Sequence, residues 1–385
     1  MEMSSIFLNT SPVTTSKQNS LRSMALRSLN PRLIPHFEAL PRTTHQYGFK
    51  NIVTPKVCQE VIDRLQLRQK YPNSKGNLDI VDVFAGYGLF STMVNYELKP
   101  KNHLIIDGTK DNEKIWKNRL SFLEKTTGNA ENFRYFNNDG HSWETYDHLF
   151  KELKVIQPSV QPRSKIHDEL LILANISSNK FGESLFAQWI MCCAYQNWLQ
   201  KYGRVRMVLL VREATALKFL SGPNFSKRNR ASLKRDMFTD MQLVAVSDIL
   251  VDSKGIAGDS YDPNLLIKDQ PLVLPNSSVL PVGGDLAVVE VVPKELPDID
   301  VNAVEYLTQV FMYKSSNTVK ESLNILAPGA DSDLGSKIPS EILEKSAKQL
   351  SKEDMDYIYN VYNNWAFKPS YEDTLNFFSE ETRNF

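Results

Sequence analysis

The sequence predicts an α/β protein in which an open, doubly wound sheet is followed by a small C-terminal all-helical domain. Two observations carry this prediction. Up to residue 292, six or seven short apolar runs alternate with runs of helical periodicity, which indicates strands connected by helices. After the stretch 293–297, only helical patterns follow. With 385 residues the chain is long enough for two domains.

The clearest unit is a strand, a glycine turn, a helix and a second strand. Residues 78–84 predict a buried parallel strand, and Gly86 and Gly88 follow it at once. After a helical run, the second strand at 103–106 ends on Asp107. At such a turn the backbone approaches a ligand closely, and the terminal carboxylate accepts hydrogen bonds from a ribose diol. An ordinary turn without a ligand is the alternative, but Asp107 favours a nucleoside pocket, present or ancestral.

The other elements continue this alternation in chain order. Thr54 and Pro55 predict the capped start of a helix at 55–67. The stretch 255–281 is rich in Pro, Asp, Asn and Ser and predicts a long irregular insertion. The remaining predictions are strands at 133–136, 169–174, 204–211, 242–246 and 285–292, and helices at 182–200, 301–312, 317–326, 339–346 and 352–365.

Composition divides the chain into four parts. Residues 1–42 are rich in Arg and Ser and poor in acids, which is typical of a disordered mitochondrial targeting segment, although a merely disordered N terminus is the alternative. We expect the sheet domain at 43–295, the helical domain at 296–369 and a mobile C-terminal tail at 370–385.

Charge and composition limit the function classes. Without residues 1–42 the chain has 40 basic and 43 acidic side chains, so charge alone does not hold it on nucleic acid and a partner would supply much of the binding. No apolar run approaches the roughly 18 to 20 residues of a membrane span. The three cysteines and six histidines show no metal-ligand spacing, so we expect no metal site.

Four positions converge at the carboxyl edge of the predicted sheet. Gly86, Asp107, Asp139 and Asn175 each follow one of the first four strands, and ligands bind at this edge of doubly wound sheets. We expect Asp107 to face a ribose, Asp139 the amino edge of an adenine and Asn175 a reacting group. For Asp139 and Asn175, capping of a helix or turn is the alternative.

Six motifs together resemble a known family: YGFKNIVTPKV, DVFAGYG, NNDGHSWETY, LLILANISS, FAQWIMCCAYQNWLQKYGRVRM and WAFKP. From residue 47 to the C terminus the chain resembles the S-adenosylmethionine-dependent rRNA adenine dimethyltransferases. It is most similar to their fungal branch, the transcription factor B type specificity factors of mitochondrial RNA polymerase. The resemblance implies a methyltransferase-like fold and places cofactor contacts at Ile52, Gly86, Asp107, Asp139 and Asn175.

Two departures from the family pattern argue against catalysis. Phe84 stands where the family has a glycine, and its ring would crowd the methionine arm of the cofactor. The catalytic motif reads Asn175-Ile176-Ser177-Ser178, without the proline and the aromatic residue that hold a flipped base. We therefore expect a vestigial Asn175, no active catalytic residue and no required cofactor. Binding of S-adenosylmethionine in a vestigial pocket stays open.

Two groups of residues are candidates for nucleic-acid binding. His141 and Trp143 follow Asp139 and can stack on unpaired bases for about 1–3 kcal/mol each. Tyr146 lies close by, but a core position is the better prediction for it. A run with no acid from 218 to 235 predicts a phosphate track, with a solvated charged loop as the alternative. Its cations are Lys218, Lys227, Arg228, Arg230, Lys234 and Arg235.

Three functions are compatible with these observations. The first is a non-enzymatic initiation factor of the mitochondrial matrix and nucleoid, a monomer that pairs with the mitochondrial RNA polymerase and melts promoter DNA. The resemblance implies that its C-terminal tail reaches toward the polymerase cleft, and the acidic content of the tail favours steering or gating. The second is an active rRNA adenine N6-dimethyltransferase, which the motif at 175–178 argues against. The third is a small-molecule methyltransferase, which the helical domain and the basic run disfavour.

Overall fold

The computed structural model describes residues 26–39, 48–247, 261–281, 283–296 and 299–374. The strands are β1 (Asn51–Ile52), β2 (Asp79–Val83), β3 (Asn102–Ile106), β4 (Phe133–Phe136), β5 (Ile166–Asn175), β6 (Arg204–Val211), β7 (Thr239–Ser247), β8 (Leu272–Leu274), β9 (Val279–Leu280) and β10 (Ala287–Pro293). The α-helices are α1 (Pro55–Leu65), α2 (Leu67–Lys70), α3 (Leu89–Leu98), α4 (Lys110–Thr127), α5 (Trp143–Asp147), α6 (Gly182–Tyr195), α7 (Glu213–Leu220), α8 (Arg230–Phe238), α9 (Pro263–Asp269), α10 (Val301–Tyr313), α11 (Val319–Leu326), α12 (Ala330–Gly335), α13 (Ser340–Leu343) and α14 (Lys352–Asn363).

Within the described residues, a sheet of eight strands has the order β4-β3-β2-β5-β6-β10-β7-β8. The strands from β4 to β6 are parallel, whereas β10 runs antiparallel between β6 and β7. Val83 of β2 pairs with Ile106 of β3 and with Ala174 of β5, and Ile106 pairs with Phe136 of β4. The loops after these strands therefore start side by side at the carboxyl edge of the sheet.

Helices cover both faces of this sheet, which confirms the predicted doubly wound, methyltransferase-like α/β fold. Helices α1, α3 and α4 pack on one face, around Val61, Met93 and Trp116. Helices α6 and α7 pack on the other face, around Trp189 and Phe219. All five side chains are buried, because successive residues of each strand point to opposite faces and both faces are apolar.

The predicted C-terminal helices are present, and they form a third core. Leu307 and Phe311 of α10 and Leu323 of α11 pack together with Leu233 and Phe238 of α8. Because α8 precedes β7 in the sheet domain, this core extends from the helical domain into the sheet domain.

Four predicted helices end earlier than expected, among them 339–346 at Leu343 and 352–365 at Asn363. The helix predicted at 55–67 ends at Leu65, and the one predicted at 182–200 ends at Tyr195. The residues that follow, Gln66 and Gln196, have left-handed backbones with φ of 52° and 53°, and such a residue ends a helix.

The prediction of an irregular insertion at 255–281 is wrong for its described part, which begins at residue 261. This part holds α9, β8 and β9. The carboxylate of Asp262 accepts a hydrogen bond from the Asn264 N–H, and Pro263 occupies the first helical position, so α9 starts with a regular cap. Residues 255–260 lie outside the described residues.

The prediction of disorder for residues 1–42 is wrong for residues 26–39. These residues include the 3-10 helix Pro31–Phe37, in which Leu33 and Phe37 are buried against the sheet domain. Residues 1–25 and 40–42 lie outside the described residues. At the other terminus, residues 370–374 begin a helical turn, and residues 375–385 of the predicted mobile tail lie outside the described residues.

Among the described residues, no helix is long and apolar enough to cross a membrane. Across the same residues, no group of His, Cys, Asp and Glu could hold a metal ion. Cys58, Cys192 and Cys193 are buried free thiols.

Candidate functional site

Three of the predicted site residues lie around the side chain of Asn51, which was not itself predicted. They are Ile52, Gly86 and Asn175. The Oδ1 of Asn51 accepts a hydrogen bond from the Tyr87 N–H at 3.3 Å and lies 3.5 Å from the Nδ2 of Asn175. Gly86 lies beside it with a φ of +59°, and a Cβ at this position would lie 2.4 Å from Oδ1 of Asn51. A side chain there would displace Asn51, and the left-handed backbone also favours glycine. The adjacent Ile52 is buried and pairs with Val279 in the β1–β9 ribbon.

The Asp107 carboxylate, predicted to face a ribose, is fully buried and bonded within the chain. It accepts hydrogen bonds from the Gly86 N–H at 3.2 Å, the Thr109 N–H at 2.9 Å and Nδ2 of Asn112 at 2.9 Å. Burial raises the pKa of Asp107, although these three hydrogen bonds oppose the shift. Through these hydrogen bonds the carboxylate links the glycine turn to the start of α4.

The Asn175 amide, predicted to face a reacting group, is also engaged inside the chain. Its Nδ2 donates to the carbonyl of Lys50 at 2.8 Å. Its Oδ1 accepts from the N–H of Ser177 at 3.2 Å and from its hydroxyl at 2.6 Å. Both ends of the side chain therefore have partners, and only 5% of the residue is exposed.

Two side chains of α4, Trp116 and Arg119, donate hydrogen bonds to the backbone of the glycine turn. Trp116 Nε1 donates to the carbonyl of Gly86 at 3.1 Å, and Arg119 donates to the carbonyl of Tyr87 at 3.0 Å. A Cβ on Gly88 would lie 2.4 Å from the Trp116 ring. Both side chains are buried. Their contact with the turn was not predicted, because the sequence of α4 has the pattern of an ordinary amphipathic helix.

An aromatic cleft opens at the same edge of the sheet, with a volume of about 330 Å³. We use this name for the cleft lined by Phe49, Phe84, Gly108, Thr109, Asp139, His141 and Phe181. The ring of Phe84 lies 5.5 Å from those of Phe49 and Phe181, and the His141 ring lies 5.7 Å from Phe181. The backbone of Phe84 keeps a φ of +57°, the conformation that suits the glycine of the family pattern.

The three aromatic candidates after Asp139 have different environments. Asp139 and His141 are exposed in the cleft, and the Asp139 carboxylate caps the loop by accepting the His141 N–H at 2.9 Å. Trp143 is 40% exposed. Tyr146 is buried and donates to the carbonyl of Gly140 at 2.8 Å, which confirms its predicted core position.

The prediction that the basic run is a phosphate track is wrong for Arg228 and Arg235. Both side chains are buried. Arg228 donates to the Asp236 carboxylate at 2.8 Å and to the carbonyl of Leu350 at 2.7 Å, and Arg235 lies 3.1 Å from Asp236. Both guanidinium groups neutralise the partly buried Asp236 carboxylate, and Arg228 also bonds the helical domain, so neither group faces solvent.

The other cations of the run are paired or lie close to acids. Arg230 and Lys234 contact the Glu305 carboxylate at 2.9 and 2.8 Å, and Lys218 pairs with Glu183. Lys227 is partly exposed on the loop before α8, and its role in nucleic-acid binding stays a prediction. The sequence showed the cations, but their acidic partners lie far away along the chain.

A second polar cluster lies where β6 ends. Arg212 pairs with the Asp285 carboxylate, which also accepts the Glu213 N–H at 3.1 Å. Lys50 Nζ donates to the carbonyl of Pro281 at 3.0 Å. Burial, followed by the charge of Asp285, raises the pKa of Glu213 to about 7.

Curated relatives of similar length match nearly the whole chain. A protein of Lachancea kluyveri named Mitochondrial transcription factor 1 is 29% identical over 350 residues, which cover 90% of this chain and 98% of the relative. A protein of Saccharomyces cerevisiae with the same name is 26% identical over 343 residues, which cover 87% and 94%.

Solved structures and family profiles agree with the observed fold. A dimethyladenosine transferase from Plasmodium falciparum is similar with a TM-score of 0.51 at 14% identity, covering 80% of this chain and 96% of the other, and this likeness concerns the fold alone. The profile of the family described as Ribosomal RNA adenine dimethylase matches residues 42–364. Because this match spans most of the sequence, the chain belongs to the ribosomal RNA adenine dimethylase family.

Proposed function

We propose that this protein is a mitochondrial transcription initiation factor that works with the mitochondrial RNA polymerase to recognise and melt promoter DNA. The observation that carries the proposal is the aromatic cleft, which opens at the carboxyl edge of the sheet while the Asn175 amide is engaged inside the chain. Aromatic faces bind unpaired bases with little sequence preference. The site thus keeps a surface for a base and has no free amide for chemistry.

The relatives support the transcription part of this proposal. Two proteins that match about 90% of the chain carry the name Mitochondrial transcription factor 1, which agrees with a role in the mitochondrion and in transcription. The finer steps, which are promoter recognition, melting and capture of the unpaired strand, belong to our proposal.

In the proposed mechanism, the protein captures bases of the melted strand. His141 at the cleft and Trp143, two residues further along the chain, offer ring surfaces to these bases. Lys227 of the basic run is partly exposed, and its contact with a phosphate belongs to our proposal. Because most cations of that run are internally paired, the polymerase supplies most of the charge that holds the DNA. The protein acts as a monomer that pairs with the polymerase in the mitochondrial matrix and nucleoid.

We further propose that the protein needs no cofactor and is not an enzyme. S-adenosylmethionine would need a free carboxylate for its ribose and space for its methionine arm. Asp107 already accepts three hydrogen bonds from its own chain, and the Phe84 ring packs with Phe49 and Phe181 at the cleft. The residues present therefore do not fit the cofactor, and we derive no step through it.

Run-off transcription by the cognate mitochondrial polymerase tests the proposal. Templates would be a duplex promoter and the same promoter with a pre-melted bubble, each with and without this protein. We expect the protein to be required on the duplex and largely dispensable on the bubble. If it changes transcription on neither template, the proposed function is wrong.

The alternative is an active rRNA adenine N6-dimethyltransferase, which the family match favours. Transfer of tritiated methyl groups to small-subunit rRNA distinguishes the two functions. We expect no labelling above the level of a reaction without the protein. Robust labelling of adenines would overturn the non-enzymatic part of the proposal, whatever the transcription assay shows.

A further inference from the structure

Residues 26–39, which we call the N-terminal strap, lie inside the predicted targeting segment yet pack on the sheet domain. Ser28 and Asn30 are 0% and 2% exposed, and Leu33 is 1% exposed. Asn30 Nδ2 donates to Glu131 at 2.9 Å, and His36 packs against the ring of Phe122 at 4.8 Å. These polar and apolar contacts are those of a folded element.

The strap neutralises a buried carboxylate of α3, Glu97, whose side chain is 1% exposed. The Ser28 hydroxyl donates to it at 2.7 Å, and the Arg27 guanidinium lies 3.1 Å away. Arg68 is its third partner, at 3.2 Å. Loss of the strap would remove one cation and the hydroxyl donor from Glu97, and would expose the apolar surface that Leu33 and Phe37 bury, both of which are unfavourable.

The strap also supports the glycine turn of the site. The Phe37 ring packs edge-on against Tyr87 at 5.3 Å, and the Tyr87 hydroxyl donates to the carbonyl of Ala39 at 3.3 Å. The Arg119 guanidinium, which bonds the carbonyl of Tyr87, lies 4.7 Å from the centre of the Phe37 ring. The strap therefore reaches the turn that carries Phe84 into the aromatic cleft.

We propose that the mature protein keeps residues 26–39, and that proteolytic removal of a targeting segment stops before residue 26. The cleavage is an ordinary peptide hydrolysis, in which water adds across the bond and leaves a new amino terminus on this chain. The import signal is then confined to residues 1–25, which hold Lys17, Arg22 and most of the serines of the segment. The processing part of this inference rests on the proposed mitochondrial location.

The processing part is tested by isolating the protein from mitochondria and identifying its N-terminal peptide by mass spectrometry. We expect the terminus at or before residue 26. A mature terminus beyond residue 26 would overturn the proposal, and one at residue 28 or beyond would also remove Arg27 from Glu97.

The structural part is tested without polymerase or mitochondria, so its failure is distinguishable from failure of the proposed function. Chains that begin at residue 26 and at residue 40 would be compared with the full chain by thermal unfolding. We expect the first to match the full chain and the second to lose about 5 °C or more in Tm. Equal Tm values for both truncated chains would show that the strap is dispensable.

Point variants keep the test decisive if the shorter chain does not fold. Arg27→Ala should lower the Tm of the full chain, and should lower it much less when Glu97→Gln has removed the buried charge. Arg32→Ala is the matched control, because Arg32 lies in the same strap with an exposed side chain. If Arg27→Ala has no larger effect than Arg32→Ala, the strap does not serve Glu97.

Discussion

The guanidinium of Arg228 joins the two domains, because it contacts the Asp236 carboxylate at 2.8 Å and donates to the carbonyl of Leu350 at 2.7 Å. We expect Arg228→Ala to lower the free energy of unfolding by about 2–3 kcal/mol, since a buried guanidinium loses its hydrogen-bond acceptors while Arg235 still pairs with Asp236. Urea denaturation of the purified protein measures this change. Lys320→Ala, on the exposed face of α11, is the control and should stay within about 0.5 kcal/mol. If the effect of Arg228→Ala is no larger than that of Lys320→Ala, the contacts of Arg228 do not stabilise the protein.

Trp143 is the sharpest test of base stacking. Loss of one stacked ring costs about 1–3 kcal/mol, so Trp143→Ala should reduce initiation on a duplex promoter roughly tenfold or more. Initiation on a pre-melted promoter should change much less, because no opening step is needed there. Trp143→Phe keeps a ring and is the matched control. Equal losses on both templates would indicate a general defect in the protein.

The proposed loss of cofactor binding can be tested by measuring whether the cofactor raises the Tm. A ligand present at about a hundredfold its Kd stabilises a folded protein by about 2.7 kcal/mol. We expect S-adenosylmethionine at about 1 mM to leave the Tm unchanged. Its demethylated product is tested as a second ligand, with the same expected result. A concentration-dependent rise in Tm would show that the pocket still binds the cofactor.

Phe84→Gly separates two opposing effects at one position. The left-handed backbone at Phe84 favours glycine by about 1–2 kcal/mol. Loss of a buried phenylalanine ring costs about 3–5 kcal/mol. We therefore expect the variant to be less stable by about 2–3 kcal/mol in denaturant titration. An increase in stability would show that the ring contributes little to the packing of the cleft.

Glu213 predicts a pH dependence of stability. Its pKa of about 7 in the folded chain lies above the ordinary value of 4.5, so the folded state binds this proton more tightly. The resulting stabilisation is complete below the ordinary pKa and is lost as the pH rises to 7 and beyond. Glu213→Gln cannot ionise and should therefore be more stable than the parent at pH 8, by about 1 kcal/mol after allowance for partial exposure.

Thermal unfolding at about pH 5 and about pH 8 measures the effect of Glu213→Gln, and the difference from the parent should shrink at the lower pH. Glu341→Gln, on the exposed start of α13, controls for the change of residue type. A difference from the parent that is the same at both pH values would exclude ionisation of Glu213 as its cause.

Local patterns in the sequence determined the fold class and much of the site. Apolar periodicity predicted the strands 133–136 and 204–211 with the bounds that the structure has. The positions after parallel strands predicted that Gly86, Asp107 and Asn175 converge, because these strands end at one edge of the sheet. Such features depend on neighbours in the chain, so the sequence shows them directly.

Only the tertiary structure decided which of the polar side chains are free. Arg228 reads as a solvated cation, but its carbonyl acceptor Leu350 lies 122 residues away. Arg27 reads as part of a targeting segment, but its partner Glu97 lies 70 residues away. A charge is neutralised by groups that are near in space, and the sequence does not show which distant residues folding brings together.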